Sequence, residues 1–430
     1  MEIKKRIQLL EKYGIKPGLE RISAILSYMG HPEKDYGIII VGGTNGKGST
    51  CAMIESILRA AGHKTGLYTS PHLMMMNERI RVNFNAIGDE DIESISGQLF
   101  NIIDQHSGLS DTTYFEFLTA VALKYFSEQR IDMAVLEVGM GGRFDATNAT
   151  EPDISVITNI AMDHQRYLGT TLEEIAYEKA GIIRTGKPFV TTDKTIVSRD
   201  ILETTSKNKG GLLYAIDKDF FYDENESGME FRSILRTVHN VKLSLTGTHQ
   251  MSNASAAIQT VILLERLGTG ISDEEIKRGL INTVWQGRFE KIREKPVVIM
   301  DVAHNPAGIK TLIETVKRFY NNKSITVLFG VSRDKEWRQM LDMLSEVADY
   351  YIFTAYHGER SLAPVELNNH VKGIESAIVI SSYKAYDAAV RYTPDDGLVI
   401  VTGSIYLIGE IKHYLEDIKL TNSKDGTYEL

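Results

Sequence analysis

Four short apolar runs, each closed by a polar cluster, constrain this chain more than any other feature. Residues 37–41 run into GGTNGKGST, 65–68 into TSPH, 133–136 into EVGMGGRFD and 154–157 into TNIAMDH. Runs this short, with helical patterns between them, read as parallel strands of an α/β sheet. In such sheets ligands bind beyond the carboxyl ends of the strands. The four clusters are therefore expected to gather at one sheet edge, although the first and last lie more than 100 residues apart.

The first cluster has the chemistry of a phosphate-binding loop. Gly43, Thr44, Asn45, Gly46, Lys47, Gly48, Ser49 and Thr50 follow a strand and open a helix. Glycines let backbone N–H groups turn towards an anion, and a helix N-terminus adds roughly half a positive charge. Lys47 would reach the β- and γ-phosphates of ATP, and a following hydroxyl would face Mg²⁺. Gly48 separates Lys47 from Ser49, which departs from the common G-x-x-x-x-G-K-[ST] spacing; the bland alternative is a glycine-rich turn with a surface lysine. In the helix that follows, Met53, Ile54, Ile57, Leu58 and Ala61 fall on one face, and Gly62 can end it.

Three further residues are candidates for a metal. Glu137 directly follows a strand, where an NTPase places its acidic metal-organising group; alone it could be a solvated strand-end carboxylate. His164 follows Asp163 after another strand, and a lone histidine is commonly structural. Ser70 alone reads as a turn residue. Their shared sheet edge makes the case, and an oxygen-rich set with one imidazole suits Mg²⁺ or Mn²⁺ rather than zinc.

Composition narrows the partners. The chain has 430 residues, a net charge of −9 and one cysteine, Cys51. The length favours two domains, the acidic balance argues against nucleic acid, and a single cysteine excludes an internal disulfide or a cysteine metal cage. No apolar run approaches a membrane span and the first residues do not read as a signal peptide, so a cytoplasmic, monomeric protein is expected. Local positive potential must then come from backbone amides, single Lys or Arg residues and metal ions.

After residues 287–290 the pattern restarts. Apolar runs at 296–300, 325–329, 351–354, 377–380 and 398–401 alternate with helical stretches. We place the boundary near Arg293–Lys295. It separates a P-loop-type ATP-binding domain with a mainly parallel sheet, residues 1–293, from a smaller Rossmann-like α/β domain, residues 294–430, of about 135 residues. Thr171 with Glu174, and Ser272 with Glu275, are expected capping boxes.

The order of GTNGKGS, TSPHL, NERI, FEFLTA, LEVGMGGRFDATN, MDH, EKAGI, HQMSNA, GRFE, DVAHNP and TGSIYLIGE resembles the folylpolyglutamate and dihydrofolate synthases of the Mur ligase family. The resemblance runs from about Gly42 to Glu410. It departs at Val302, where the family usually has glycine, at the DKE of residues 334–336, and at Gln286. It implies that Ser70, Glu137 and His164 are Mg²⁺ ligands. It also implies that Lys179 is carbamylated and helps hold a second ion; read from the residues alone, Lys179 is a last-turn helix lysine before Gly181. Asn253 is similar to the family's adenine and ribose contact, though alone it is a polar residue at a helix start. Arg288 and Asp301 would serve ATP, with His304 and Ser404 at the glutamate site. Residues 115–118 are a folate-side segment by resemblance and an amphipathic core helix by pattern.

The resemblance also implies the reaction: ATP-dependent addition of L-glutamate to the γ-carboxylate of a folate, or to dihydropteroate, through an acyl phosphate, with closure around the substrates. Lys47, Lys179 and His304 are the expected catalytic residues. A UDP-muramyl peptide ligase and a nucleotide-switch ATPase are the competing readings; TSPHL and DATN disfavour the first, and the second motif set, DVAHNP and TGSIY, disfavours the second.

Overall fold

The structure, a computed structural model, describes residues 3–265 and 268–424. The chain divides into two units. The first comprises Met76–Ser244 and His249–Val284 with the chain up to His72; the second begins at Trp285 and takes in Leu73–Met75 and Leu245–Thr248. The division thus falls upstream of the expected Arg293–Lys295, because Glu290–Glu294 pairs antiparallel with Val297–Met300 and so belongs to the second sheet.

In the first unit the strands are β1 (Gly37–Gly42), β2 (Thr65–Tyr68), β3 (Ile80–Val82), β4 (Asn85–Ala86), β5 (Met133–Glu137), β6 (Ile154–Ile157), β7 (Pro188–Thr191) and β8 (Leu212–Ala215). They form one sheet in the order β4-β3-β2-β5-β1-β6-β7-β8, parallel except for the β3 and β4 edge. The four apolar runs are its central strands, in the order β2-β5-β1-β6. Every residue of β2, β5 and β6 is buried, which is why these strands read as continuous apolar runs and not as alternating ones. A second sheet, β9 (Phe220–Asn225), β10 (Gly228–Ser233) and β11 (Thr237–Val241), is an antiparallel meander that the sequence pattern does not announce.

The helix after β1 runs Lys47–Ala60, with Gly62 in the left-handed region at φ +91°. Both expected capping boxes form, and a third joins Thr113 and Glu116 at the start of Tyr114–Glu128. Glu116 is buried and also takes Arg21, whose Nε lies 3.1 Å from Oε1.

The second unit is a six-stranded sheet of β12 (Glu290–Glu294), β13 (Val297–Met300), β14 (Ile325–Phe329), β15 (Tyr350–Ala355), β16 (Glu375–Ser381) and β17 (Leu398–Thr402), in the order β12-β13-β17-β14-β15-β16. All but β12 are parallel. Side chains alternate across it with the period of two. Ile299, Val327, Phe329, Tyr351, Phe353 and Ile400 meet the helices Pro306–Phe319 and Trp337–Leu344 in one core. Val298, Met300, Leu328, Ile352, Val399 and Val401 meet Ser382–Tyr392 and the helix starting at Ile405 in another. Helices on both faces make this a doubly wound, Rossmann-like arrangement. No helix among the described residues is long and apolar enough to cross a membrane.

Candidate functional site

Strand register brings the polar clusters level. Val41 lies beside Glu137, Gly42 beside Ile157 and Tyr68 beside Leu136. The loops after β1, β2, β5 and β6 therefore leave the sheet at one edge, as the sequence pattern requires.

The phosphate-type loop leaves β1 through two glycines where a side chain would be strained and crowded. Gly43 has φ +136°, and a Cβ there would lie 2.0 Å from Thr158 Oγ1. Gly46 has φ +84°, and a Cβ there would lie 2.4 Å from Asn253 Oδ1. Asn253 is buried and donates to Gln250 Oε1 at 2.9 Å. Its place against Gly46 brings the helix Thr248–Glu265 to the loop. Thr50 N–H is the first to bond back, to Gly46 O at 2.9 Å. The N–H groups of Lys47, Gly48 and Ser49 precede it in the first turn, where a helix has no carbonyls of its own to offer them, and the helix dipole adds to their positive potential.

Two ammonium groups converge on one carbonyl of this loop. Lys47 Nζ donates to Gly43 O and Thr44 O, both at 3.2 Å, and Lys179 Nζ donates to Gly43 O at 2.8 Å. The expected last-turn position of Lys179 holds, but its side chain is buried, not displayed at a helix end. Its pKa is lowered from 10.5 to about 7, chiefly by burial and then by the Lys47 charge, against the opposing charges of Asp163 and Asp145. The burial comes from close packing of the GMGGRFD loop on the helix end. A Cβ at Gly142 would lie 2.7 Å from Lys179 O, and one at Gly181 would lie 2.4 Å from Arg143 Cα.

Glu137 ends β5 and is buried, and its Oε2 accepts Ser70 N–H at 3.0 Å, so two of the three candidate metal ligands touch. His164 stands at φ +51°, and its N–H donates to Asp163 Oδ1 at 2.8 Å. Its ring is partly exposed, with Nε2 3.9 Å from Asp163 Oδ2. Among the described residues no three His, Cys, Asp or Glu side chains form a group that could hold a metal ion by themselves. A cation here would draw on one carboxylate, hydroxyl and imidazole donors, and oxygens of a bound phosphate. That donor set fits Mg²⁺, which is seldom held in an all-protein cage.

In the second unit, Asp301 follows β13 and its carboxylate is fully engaged. Oδ2 accepts Phe289 N–H at 2.8 Å and Oδ1 accepts Ala303 N–H at 2.9 Å. Burial raises its pKa, and the Arg288 guanidinium opposes the rise. Asp301 thus shapes the turn that carries Arg288. His304 Nδ1 lies 2.9 Å from Val302 O. A carbonyl only accepts, so Nδ1 carries a hydrogen and donates it to Val302 O. Ser404 follows β17, is buried, and its Oγ accepts Tyr406 N–H at 3.2 Å.

Three residues that sequence reasoning left without roles are central to the geometry. Thr158 and Asn159 follow β6 and bind the phosphate-type loop: Thr44 N–H donates to Asn159 O at 2.7 Å, and Thr158 Oγ1 donates to Asn45 O at 2.7 Å. Asp145 is buried, accepts Met140 N–H and Thr147 N–H at 3.0 Å each, and so closes the GMGGRFD loop on itself. All three lie inside polar clusters at strand ends, the signal that could have found them. Residues 115–118 divide. Phe117 and Leu118 are core, as the pattern implies, while the Phe115 ring fills the space beside Gly139, where a Cβ would lie 2.7 Å from it.

Comparison with known proteins follows the same division. The Mur ligase middle domain matches residues 41–261, and the Mur ligase glutamate ligase domain matches residues 287–405. A Bacillus subtilis protein named dihydrofolate synthase/folylpolyglutamate synthase is 35% identical over 420 residues, covering 94% of this chain and 96% of its own length. A solved structure of Escherichia coli FolC in complex with DHPP and ADP aligns with a TM-score of 0.90 at 31% identity, covering 97% of this chain and 99% of that one. A bifunctional folylpolyglutamate synthase/dihydrofolate synthase with Mn, AMPPNP and L-glutamate bound aligns with a TM-score of 0.86 at 30% identity, covering 97% of this chain and 98% of that one.

Proposed function

This chain belongs to the folylpolyglutamate synthase and dihydrofolate synthase family of Mur ligases, and on that premise we propose that it joins L-glutamate to the γ-carboxylate of a folate with cleavage of ATP. The same reading extends to dihydropteroate, whose carboxylate presents the same chemistry. The observation that carries it is the convergence of Lys47 and Lys179 on Gly43 O, at the sheet edge where Glu137 ends the neighbouring strand.

A carboxylate is a poor electrophile because its leaving group would be oxide. The reading has the substrate carboxylate oxygen attack the γ-phosphorus of ATP. The bond between that phosphorus and the bridging oxygen breaks, and ADP leaves. The amine of glutamate attacks the resulting acyl phosphate at carbon, the C–O bond breaks, and phosphate leaves. Several anions meet in this sequence, so electrostatic compensation dominates the barrier.

The N–H groups of Gly46, Lys47, Gly48 and Ser49 would donate to phosphate oxygens, and Lys47 would reorient from its loop carbonyls to the β- and γ-phosphates. Ser49 and Thr50 stand near those phosphates, with Thr44, Asn45 and Gly43 shaping the loop. Asn253, already against Gly46, takes the adenosine part. Glu137, Ser70 and His164 would hold Mg²⁺, which would neutralise phosphate charge and fix the γ-phosphate for in-line attack. Lys179 has the low pKa that carbamate formation requires: its neutral nitrogen attacks CO₂, a C–N bond forms and one proton passes to solvent. The resulting anion would serve a second ion.

In the second unit, Arg288 serves the ATP phosphates and Asp301 acts by holding the Arg288 turn. His304 would accept the amine proton at Nε2, the nitrogen that does not contact Val302. Ser404 takes the amino acid. The direct test is ADP release that requires both a folate acceptor and L-glutamate. ADP release independent of glutamate would return the chain to the switch-ATPase reading.

A further inference from the structure

Asn159 grips the phosphate-type loop with its side chain as well as its backbone. Asn45 N–H donates to Asn159 Oδ1 at 3.0 Å, and Asn159 Nδ2 donates to Asn45 O at 3.0 Å. One carboxamide therefore reads both backbone groups of one loop residue, as a neighbouring strand would. Alongside it, Thr44 N–H is taken by Asn159 O, and Thr44 Oγ1 both donates to Ala161 O at 3.2 Å and accepts Ala161 N–H at 3.0 Å.

The consequence is a division of labour within the loop. The N–H groups of Thr44 and Asn45 are already bonded to Asn159 and so are not offered to an anion at the helix end. Those of Lys47, Gly48 and Ser49 open the helix and have no carbonyl of their own turn to bond. A stretch that holds Gly42, Gly43, Gly46 and Gly48 has much backbone freedom to lose, so an external clamp is needed to keep the second set aimed.

We propose that Asn159 is a positioning residue for the nucleotide. Its carboxamide holds the Thr44–Asn45 half of the loop so that the amides from Gly46 to Ser49 stay directed at phosphate. The clamp has its own anchors: Thr192 Oγ1 donates to Thr158 O at 2.6 Å, and Ile160 N–H donates to Asp193 Oδ1 at 3.2 Å. Asp163 and His164 follow on the same segment, so one peptide ties the anion loop to a candidate metal ligand. Only an amide of this length supplies one donor and one acceptor together. Aspartate keeps the shape but loses the donor and sets a carboxylate against Asn45 O; alanine loses both.

The inference rests on the reading of this loop as the ATP site, and the test separates the two. Mg²⁺–ATP affinity is measured by calorimetry, and the thermal midpoint without nucleotide is measured beside it. The variants are Asn159→Ala, Asn159→Asp and Ser155→Ala, the last removing a buried hydrogen bond, Ser155 Oγ to Ile182 O at 2.7 Å, from the strand that leads to the clamp without touching the clamp or its anchors. Asn159→Ala and Asn159→Asp are expected to weaken Mg²⁺–ATP by about tenfold or more, the first from two lost hydrogen bonds, the second from one lost bond and a carboxylate set against Asn45 O. Ser155→Ala is expected to lower the thermal midpoint comparably while binding nucleotide like the unaltered chain. Unchanged affinity in Asn159→Ala, or equal weakening in Ser155→Ala, overturns the positioning role while ATP binding stands. Absence of Mg²⁺–ATP binding by the unaltered chain overturns both.

Discussion

The Nζ of Lys179 lies 2.8 Å from the carbonyl oxygen of Gly43, the oxygen that Lys47 Nζ also contacts at 3.2 Å. A buried ammonium therefore shares its acceptor with a second cation, and burial followed by the Lys47 charge brings its pKa down to about 7. At neutral pH a large fraction of Lys179 is a neutral amine, the only form that combines with CO₂. Intact mass measured under bicarbonate is expected to show one added CO₂ on the unaltered chain, rising with pH through about 7 and absent in Lys179→Met. A plain amine at Lys179 across that range contradicts the assignment.

The same shift fixes the sign of a stability effect. Between pH 7 and the ordinary lysine value of 10.5, the unfolded chain binds a proton that the folded chain lacks. The destabilisation is fully present below about 7 and disappears as pH rises towards 10.5. Lys179→Met removes the buried charge, and Lys47 still donates to Gly43 O. This variant is expected to unfold at a higher temperature than the unaltered protein at pH 7 while losing ligation. A lower midpoint at pH 7 would show that the Gly43 contact outweighs the cost of burying the amine.

Glu137→Gln keeps an oxygen to accept Ser70 N–H, so the strand end should retain its geometry. Removing the charge is expected to raise the Mg²⁺ concentration needed for half activity and to lower turnover by about 10²-fold or more, the scale found when a preorganised electrostatic partner is removed. An unchanged Mg²⁺ titration removes Glu137 from the metal site.

Asp301→Asn tests whether that residue is an organiser of its turn. Both carboxylate oxygens accept backbone N–H groups, from Phe289 and Ala303, and an asparagine offers one acceptor oxygen where two are used. Leaving a buried N–H unsatisfied costs about 1–3 kcal/mol. Chemical denaturation is expected to show a loss on that scale. A stability equal to that of the unaltered chain would leave Asp301 without an organising role.

Much of this was legible in the sequence because the central strands are buried on both faces. The runs at 37–41, 65–68, 133–136 and 154–157 carry no charged residue and only small or buried polar ones such as Thr65 and Ser155, and their polar ends mark where the sheet stops. The doubly wound second unit was legible from the same rhythm. The boundary near Arg293–Lys295 differs from the division at Trp285 because β12 alternates exposed and partly exposed residues and gives no apolar signal. The meander β9–β11 was missed for a similar reason: β9 is mostly exposed. The burial of Lys179 could not be read from spacing. It depends on Gly142 and Gly181 packing a distant loop against the helix end, a contact between segments far apart in sequence. Asn159 stood in a quoted cluster, yet its partner Asn45 lies over a hundred residues away and only the parallel pairing of β1 with β6 brings them together.

The central claim is that the Lys47 loop holds ATP while a folate-type carboxylate is phosphorylated for attack by glutamate. ADP release measured with dihydropteroate and with tetrahydrofolate side by side, each with and without L-glutamate, tests it most directly. The account predicts glutamate-dependent ADP release, matched by a glutamylated product with at least one of the two acceptors and abolished in Lys47→Ala. ADP release indifferent to glutamate and acceptor, or near-normal ligation by Lys47→Ala, would contradict it.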